Sequence, residues 1–448
     1  MPIHDTSQEQ DVYRVVFMRS GSQSIWAQRA CGEPRLPRVP ISRWKRPARE
    51  IQLAIEARWG HRAIILDVLS DAENSNHCAM VEILSPERHS SLIAVGINEL
   101  ARGEIASEEQ QVVEAILSDR ANLLGPFSRL GWTDEVQDWI QDEVGHEIAF
   151  TGEIWQYNVA RNFELARFLT RDGPAYWLKA TGQPNVHEFS ITRLLSELSP
   201  QYLPRRIGER ADWNAWVMED AGESLDSWTS FEFETAVVSM ATLQKTTIGK
   251  TEELMKAGAA NQRIAVLRTH LDEVFEYLME AMSAQTSVRV PRVETDRMRQ
   301  IAFVLQDACL HMENLRVPDT LIHNDMNSGN ILFQGTRSIF TDWCEAGIGN
   351  PFFTTQYLCL LQPRGKQNLQ ALPEVWKQCW GDFLSAQQIE QALALTPLLA
   401  IFSYLYGRGT WLSSPQRNSY HIQAHARSLA RHMDRAARSP KFLEALCQ

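Results

Sequence analysis

The chain lacks the features that mark a secreted, metal-stapled or membrane-spanning protein. Its 448 residues hold seven cysteines (Cys31, Cys78, Cys309, Cys344, Cys359, Cys379 and Cys447) and no Cys-x-x-Cys. Disulfide frameworks and zinc sites need cysteines paired at short spacings. This odd, scattered set reads instead as reduced thiols in a cytoplasmic protein. The residues from Met1 to Val12 are polar, with early acids at Asp5 and Glu9, so no signal peptide is expected. The most apolar run, Ala392 to Gly407, is interrupted by Thr396, Pro397 and Ser403, and is expected to be a buried helix rather than a membrane span. Basic charge is also short: the net charge of −11 argues against nucleic acid as a partner of the whole molecule. No repeat or low-complexity tract is present.

The apolar share is 44% and the charged share 22%, which suits two or three compact domains. Residues 1–125 read as a small α/β unit. A strand pair, Val12–Phe17 and Ser24–Ala27, flanks Gly21. A helix follows over Arg46–Trp59, with Ile51, Ile55 and Trp59 on one face, then a strand over Ala63–Leu69 and a closing helix over Glu108–Leu117. Gly125 and Pro126 punctuate the expected boundary. Beyond it, the spacing predicts a helix over Glu135–Val144. Strands over Phe163–Leu169 and Ala175–Lys179 are joined at Asp172-Gly173, a helix covers His187–Leu198, and a short strand covers Ala215–Met218. From Phe231 onward the pattern is mostly helical, broken by strands around Ile331 and Ile339.

One stretch carries the chemistry. His323, Asp325 and Asn330 stand in the order His-x-Asp-x-x-x-x-Asn, followed by an apolar strand. Asp342 ends the next apolar run, Ser338–Thr341. Phosphoryl transfer needs such a set: one carboxylate to orient or deprotonate an acceptor hydroxyl, and an amide oxygen plus a second carboxylate to hold Mg²⁺ on the phosphates. Upstream, Lys179 ends a strand and Glu188 opens the next helix. A strand lysine oriented by a helix glutamate can hold nucleotide phosphates.

These segments resemble the aminoglycoside phosphotransferase family of small-molecule kinases. The resemblance runs over Gly131-Trp132, Tyr176–Ala180, Glu188–Pro200, Trp216–Gly222, the His323–Asn330 loop and Thr341–Pro351, and covers about residues 126–448. It implies an α+β, bilobal protein-kinase-like fold, with a β-rich N-lobe over 126–222 and a mainly helical C-lobe over 223–448, preceded by the small α/β domain of 1–125. It implies Asp325 as catalytic base or hydroxyl-orienting residue, with His323 bracing the loop, and Asn330 and Asp342 as Mg²⁺ ligands. Lys179 would contact the phosphates of ATP with Glu188 orienting it, and the backbone of Met218, Glu219 and Ala221 would meet the adenine. The implied activity is ATP- and Mg²⁺-dependent phosphorylation of a hydroxyl on a small molecule. The alternative is a nucleotide-binding pseudokinase or scaffold acting through the N-terminal domain. The chain departs from the family pattern at Asn324, Asn327, Asn350 and Thr354, and Tyr157–Asn162 takes the place of a glycine-rich loop. Glu232, Glu234, Asp272, Glu273, Glu276 and Glu280 are acids that an amine-bearing acceptor could use. Each taken alone is better explained as part of a solvated helix face.

The element order of 1–125 also resembles the Nudix hydrolase fold, with Arg49-Glu50 before Gly60. Only Glu50 and Glu56 remain of the acids that such a Mg²⁺ site requires, so an accessory domain is expected. Seven basic residues (Arg29, Arg35, Arg38, Arg43, Lys45, Arg46 and Arg49) against Glu33, with four prolines, predict a loop whose cations are solvated or paired with acids.

Overall fold

A computed structural model describes residues 10–43, 45–71, 76–84, 91–118, 124–225, 228–354, 372–407, 412 and 415–447. Trp44, Cys359, the N-terminal segment before Gln10, and the boundary residues 119–123 lie outside them. The chain divides into two compact units: Met1–Phe189 with Arg205–Asp220, and Ser190–Pro204 with Ala221–Gln448.

The first unit holds two sheets. The first is built from β1 (Gln10–Met18), β2 (Ile25–Ala30), β3 (Glu33–Arg35), β4 (Arg38–Ser42), β5 (Ala63–Asp71), β6 (Asn76–Ile83) and β7 (Leu92–Val95). Its order is β3-β2-β1-β6-β5, with β4 also pairing β1 and β7 pairing β2. β1 is central and buried on both faces from Tyr13 to Met18, which is why Val15–Met18 reads as an apolar run. The buried Arg14 before it is paired with Glu109. Val15 and Phe17 face helix α1 (Pro47–Trp59), whose Ile51, Ile55 and Trp59 recur at helical spacing. Gly60, in the left-handed region at φ 69°, ends α1 where a side chain would be strained.

Val16 and Met18, on the other face, enter a second core with Val112, Val113 and Ile116 of α2 (Ser107–Leu117). That core continues through Trp132, Val136 and Ile140 of α3 (Trp132–Val144). It reaches the second sheet at Ile154, Ala166, Phe168 and Leu178. Residues before and after Gly125 therefore share one apolar core. A Cβ on Gly125, at φ 104°, would lie 2.4 Å from the Arg161 carbonyl oxygen, so the chain turns there only as glycine.

The second sheet contains β8 (Phe150–Ala160), β9 (Phe163–Thr170), β10 (Tyr176–Ala180), β11 (Arg206–Arg210) and β12 (Ala215–Glu219), all antiparallel in the order β11-β12-β10-β9-β8. Helix α4 (His187–Leu198) intervenes in sequence between β10 and β11. Side chains join the two sheets. The Gln156 amide accepts from the Ile65 N–H at 2.7 Å and donates to the Ile65 carbonyl at 3.0 Å, standing in for a strand neighbour. Gln52 donates to the Ala63 and Ile154 carbonyls and accepts from the Gln156 N–H.

The basic stretch is not the loop that its prolines predicted. It forms β3, β4 and the start of α1. Pro34 lies on β3, at the end of the strand order, and Pro40 on the short strand β4, positions where the missing N–H is tolerated. Its cations are largely paired: Arg35 and Arg38 with Glu104, Arg43 with Asp11, Lys45 with Glu50, and Arg49 with Glu153.

The second unit is mainly helical. In chain order it contains β13 (Glu223–Ser224), α5 (Ser230–Thr246), α6 (Thr251–Lys256), β14 (Ala260–Gln262), α7 (Ile264–Thr269), α8 (Leu271–Ser283) and α9 (Thr295–Asn314). Then come β15 (Thr320–His323), β16 (Ile331–Gln334), β17 (Arg337–Phe340) and β18 (Ala346–Gly349). It closes with α10 (Leu372–Trp380), α11 (Ala386–Gly407), α12 (Tyr420–Ala436) and α13 (Pro440–Leu446). Thr229 caps α5 through a reciprocal bond set with Glu232. Among the described residues, α11 is the one helix long and apolar enough to cross a membrane, but 67% of that window is buried inside the protein. It is the central core helix, as the interrupted apolar run predicted.

Candidate active site

In the first unit, Lys179 is the penultimate residue of β10 and the first turn of α4 carries Glu188. Their side chains meet at 2.5 Å, and both are nearly removed from solvent, at 8% and 1%. The loop between them is fixed by Asn214, itself in the left-handed region, whose amide donates to the Thr181 and Val186 carbonyls. In a buried ion pair this short the glutamate holds the lysine side chain in place and aims it. The Lys179 ammonium also lies 5.9 Å from the Trp216 ring centre.

Met218 is buried at the end of β12. Glu219 pairs with Arg205, and its N–H donates to the Arg205 carbonyl. The Asp220 N–H donates to the Ala175 carbonyl. Ala221, also buried, begins the second segment of the second unit. The Arg161-Asn162 turn between β8 and β9 is anchored, because Arg161 donates to Asp67 at 2.8 Å.

In the second unit, β15 delivers the central loop. His323 is completely buried. Its Nε2 meets the Thr341 carbonyl at 2.9 Å, and its Nδ1 accepts the Asp325 N–H at 3.2 Å. A carbonyl can only accept, so Nε2 carries the proton and the neutral tautomer is set by the two neighbours. The ring lies 4.5 Å from that of Trp343. His323 thus ties the Asp325 loop to the residue before Asp342.

The Asp325 carboxylate is held by two amides. Asn327 Nδ2 donates to Oδ1 at 3.0 Å, and Asn330 Nδ2 donates to Oδ2 at 3.1 Å. The Asn330 nitrogen is committed to Asp325, so the amide oxygen is the atom that could serve as a hard oxygen donor. Asn330 and Thr341 face each other at the open end of the β16–β17 hairpin, the Thr341 N–H donating to the Asn330 carbonyl at 3.0 Å. Asp342 follows directly, at φ 65° and ψ 67°. A non-glycine residue in the left-handed region marks stored backbone strain at a position the surroundings over-determine. An amide oxygen and a carboxylate are hard donors, which could hold Mg²⁺ better than a softer metal.

Asn324, Asn350 and Thr354 brace the loop, together with Gln244, which the sequence reading missed. Thr354 Oγ1 accepts from the His323 N–H at 2.9 Å and from Gln244 Nε2 at 3.3 Å. Gln244, deep in α5, also donates to the Leu321 and Pro351 carbonyls. Asn350 Oδ1 accepts from the Phe352 N–H. Asn324 donates to Gln262 and to the Glu345 carbonyl. Each satisfies buried loop backbone. No sequence signal marks Gln244, because a buried glutamine on an apolar helix face resembles a solvated one. Of the candidate acceptor-side acids, Glu232 caps α5, Glu273 meets His270 and Glu280 pairs with Arg417.

No protein-family profile matches the chain, and no curated protein matches it. Solved structures do. A choline/ethanolamine kinase family protein from Mesorhizobium loti aligns over 70% of this chain and 98% of its own, at 13% identity and a TM-score of 0.45. A macrolide 2'-phosphotransferase from Brachybacterium faecium aligns over 66% and 98%, at 14% identity and 0.42. A choline kinase from Streptococcus pneumoniae aligns over 70% and 99%, at 14% identity and 0.41. Among the described residues, the first unit carries the antiparallel five-stranded sheet with its Lys179–Glu188 pair, and the second, mainly helical unit carries the His323–Asn330 loop.

Proposed function

We propose that this chain, kinase-like in fold, transfers the terminal phosphoryl group of a Mg²⁺-bound nucleoside triphosphate to a hydroxyl on a small molecule. The observation that carries this reading is the Asp325 carboxylate, held on both oxygens by Asn327 and Asn330 beside the Asp342 turn. Asp325 fixes the direction of the acceptor hydroxyl and takes its proton as the bond forms. Asn330, through its amide oxygen, and Asp342 would hold Mg²⁺, which when bound neutralises charge on the phosphates. Lys179, held in place by Glu188, would bind phosphate oxygens. The loose phosphoryl transition state asks for such positioning and charge neutralisation more than for a protein nucleophile.

The test is nucleotide turnover with Mg²⁺ against pooled hydroxyl-bearing metabolites and amine antibiotics. Stimulation by one pool, lost in Asp325→Asn while nucleotide binding persists, is the expected result. Turnover in Asp325→Asn equal to that of the parent would remove Asp325 from this role.

A further inference from the structure

The face of the second sheet that carries Lys179 has an unusual composition one pleat away. Cross-strand pairing places Trp155 opposite Arg167, Arg167 opposite Trp177, and Trp177 opposite Met218, one row across four strands. Trp177 is two residues from Lys179 on β10, so both side chains leave the same face. The opposite face is the apolar core of Ile154, Ala166, Phe168, Leu178 and Val217. A nucleotide whose phosphates lie at Lys179 would therefore lay its base against this row.

The row already holds a planar group. The Arg167 guanidinium carbon is 5.3 Å from the Trp155 ring centre and 5.6 Å from that of Trp177. Arg167 Nη2 meets Asp220 Oδ2 at 2.5 Å, and Trp177 Nε1 donates to the same oxygen at 3.2 Å. Tyr157 stacks on Trp177, with ring centres 5.2 Å apart. Arg167 Nε is buried without a hydrogen-bond partner, so the guanidinium is incompletely satisfied where it sits. The Asp220 backbone is fixed by its bond to Ala175, and its side chain is 15% exposed.

An aromatic slot with a carboxylate at its edge selects a flat group that offers two N–H donors side by side. Guanidinium is one such group. The N1–H and N2–H₂ edge of guanine is another, because the same N–C–N unit is built into the base. Adenine offers one donor beside a ring acceptor at that edge, and the acceptor would face the carboxylate lone pairs.

We propose that Trp155, Trp177 and Asp220 form a guanine-reading site, and that the Arg167 guanidinium is an internal stand-in which a guanine base displaces. This rests on the reading that the chain binds a nucleoside triphosphate through Lys179. Asp220 is the specificity-determining residue, and the indoles supply stacking that any base would gain.

The test is calorimetric titration of the full chain with Mg²⁺ and GTP, ITP or ATP. GTP should bind about ten- to a hundredfold tighter than ATP, the discrimination typical of one paired two-point contact. ITP, which keeps N1–H and lacks the 2-amino group, should fall between them. Asp220→Asn should lose the preference by weakening GTP and sparing ATP. Arg167→Ala should bind GTP at least as tightly as the parent, because the competitor is gone. Equal or tighter binding of ATP by the parent protein would overturn the guanine assignment and leave the phosphotransferase reading intact. Absence of binding by all three nucleotides would overturn both.

Discussion

Glu82 couples the stability of the first unit to pH. It lies on β6, 2% exposed, and both carboxyl oxygens accept the N–H of Gly131, the residue that opens α3. Burial pushes its carboxyl from 4.5 up to about 7. The Gly131 hydrogen bond opposes that rise and nearby Asp134 adds to it. An acid whose folded value lies above its unfolded value contributes stability that is complete below the unfolded value and is lost as pH rises through the folded one. For Glu82 the loss therefore falls between 4.5 and about 7. Over that window it amounts to about 3 kcal/mol, a large share of the stability of a typical domain. Glu82→Gln keeps an oxygen for Gly131 and cannot ionise. Urea unfolding followed by tryptophan fluorescence is a suitable assay, since Trp132 is buried beside Gly131. Measured from about pH 5 to 8, the parent should lose stability relative to Glu82→Gln, the difference approaching a few kcal/mol at the alkaline end. Glu164, fully buried and raised by desolvation, adds a slope common to both proteins and cancels in the difference. Parallel curves for the two proteins would refute the account.

Other substitutions separate structure from chemistry. Gln156→Leu strips the Ile65 N–H and carbonyl of their partner and leaves Glu164 unbonded, so the first unit should lose on the order of 3–5 kcal/mol in denaturant unfolding. Lys179→Met leaves Glu188 as an uncompensated buried charge. It should be less stable than the double variant Lys179→Met/Glu188→Gln, and calorimetry should find both deficient in nucleotide binding. Thr354→Val removes the acceptor for the His323 N–H. It should cost about 1–3 kcal/mol in thermal unfolding and lower kcat more than it raises the nucleotide KM.

Local signals were legible because they are short-range. His187–Leu198 was predicted residue for residue as a helix, since its period and polar start sit in one window. The β9–β10 hairpin followed from Asp172-Gly173. The His323-x-Asp325 loop was legible because each residue type has a chemical requirement at a fixed spacing. What escaped depends on distance along the chain. The parallel pairing of β1 with β6 joins Tyr13 to His77, and no local pattern encodes it. The core common to Val16 and Phe168, and the Gln52–Gln156 clamp, exist only after two sheets meet. β8 was unreadable as a strand because Gly152, Gln156 and Asn158 interrupt its alternation, and Gln156 is in fact buried. No local pattern joins Arg167 to Asp220, whose side chains meet only once the second sheet is paired.

The strained turn at Asp342 allows backbone and chemistry to be tested apart. At φ 65° a side chain costs roughly 1–2 kcal/mol that glycine escapes, and asparagine or aspartate pay less than alanine. If the carboxylate were there for the fold, glycine, alanine and asparagine replacements would all lose stability through one missing interaction. If it is there for Mg²⁺, stability should follow backbone preference: Asp342→Gly and Asp342→Asn close to the parent or above it, and Asp342→Ala lower by about 1 kcal/mol. Mg²⁺-dependent nucleotide binding should fail in all three. The two orderings are measured separately, by thermal unfolding without ligand and by calorimetry with and without Mg²⁺. Retained Mg²⁺ dependence in Asp342→Gly would show that the strain serves something other than the metal. A uniform loss of stability across the three would show that the carboxylate itself holds the turn.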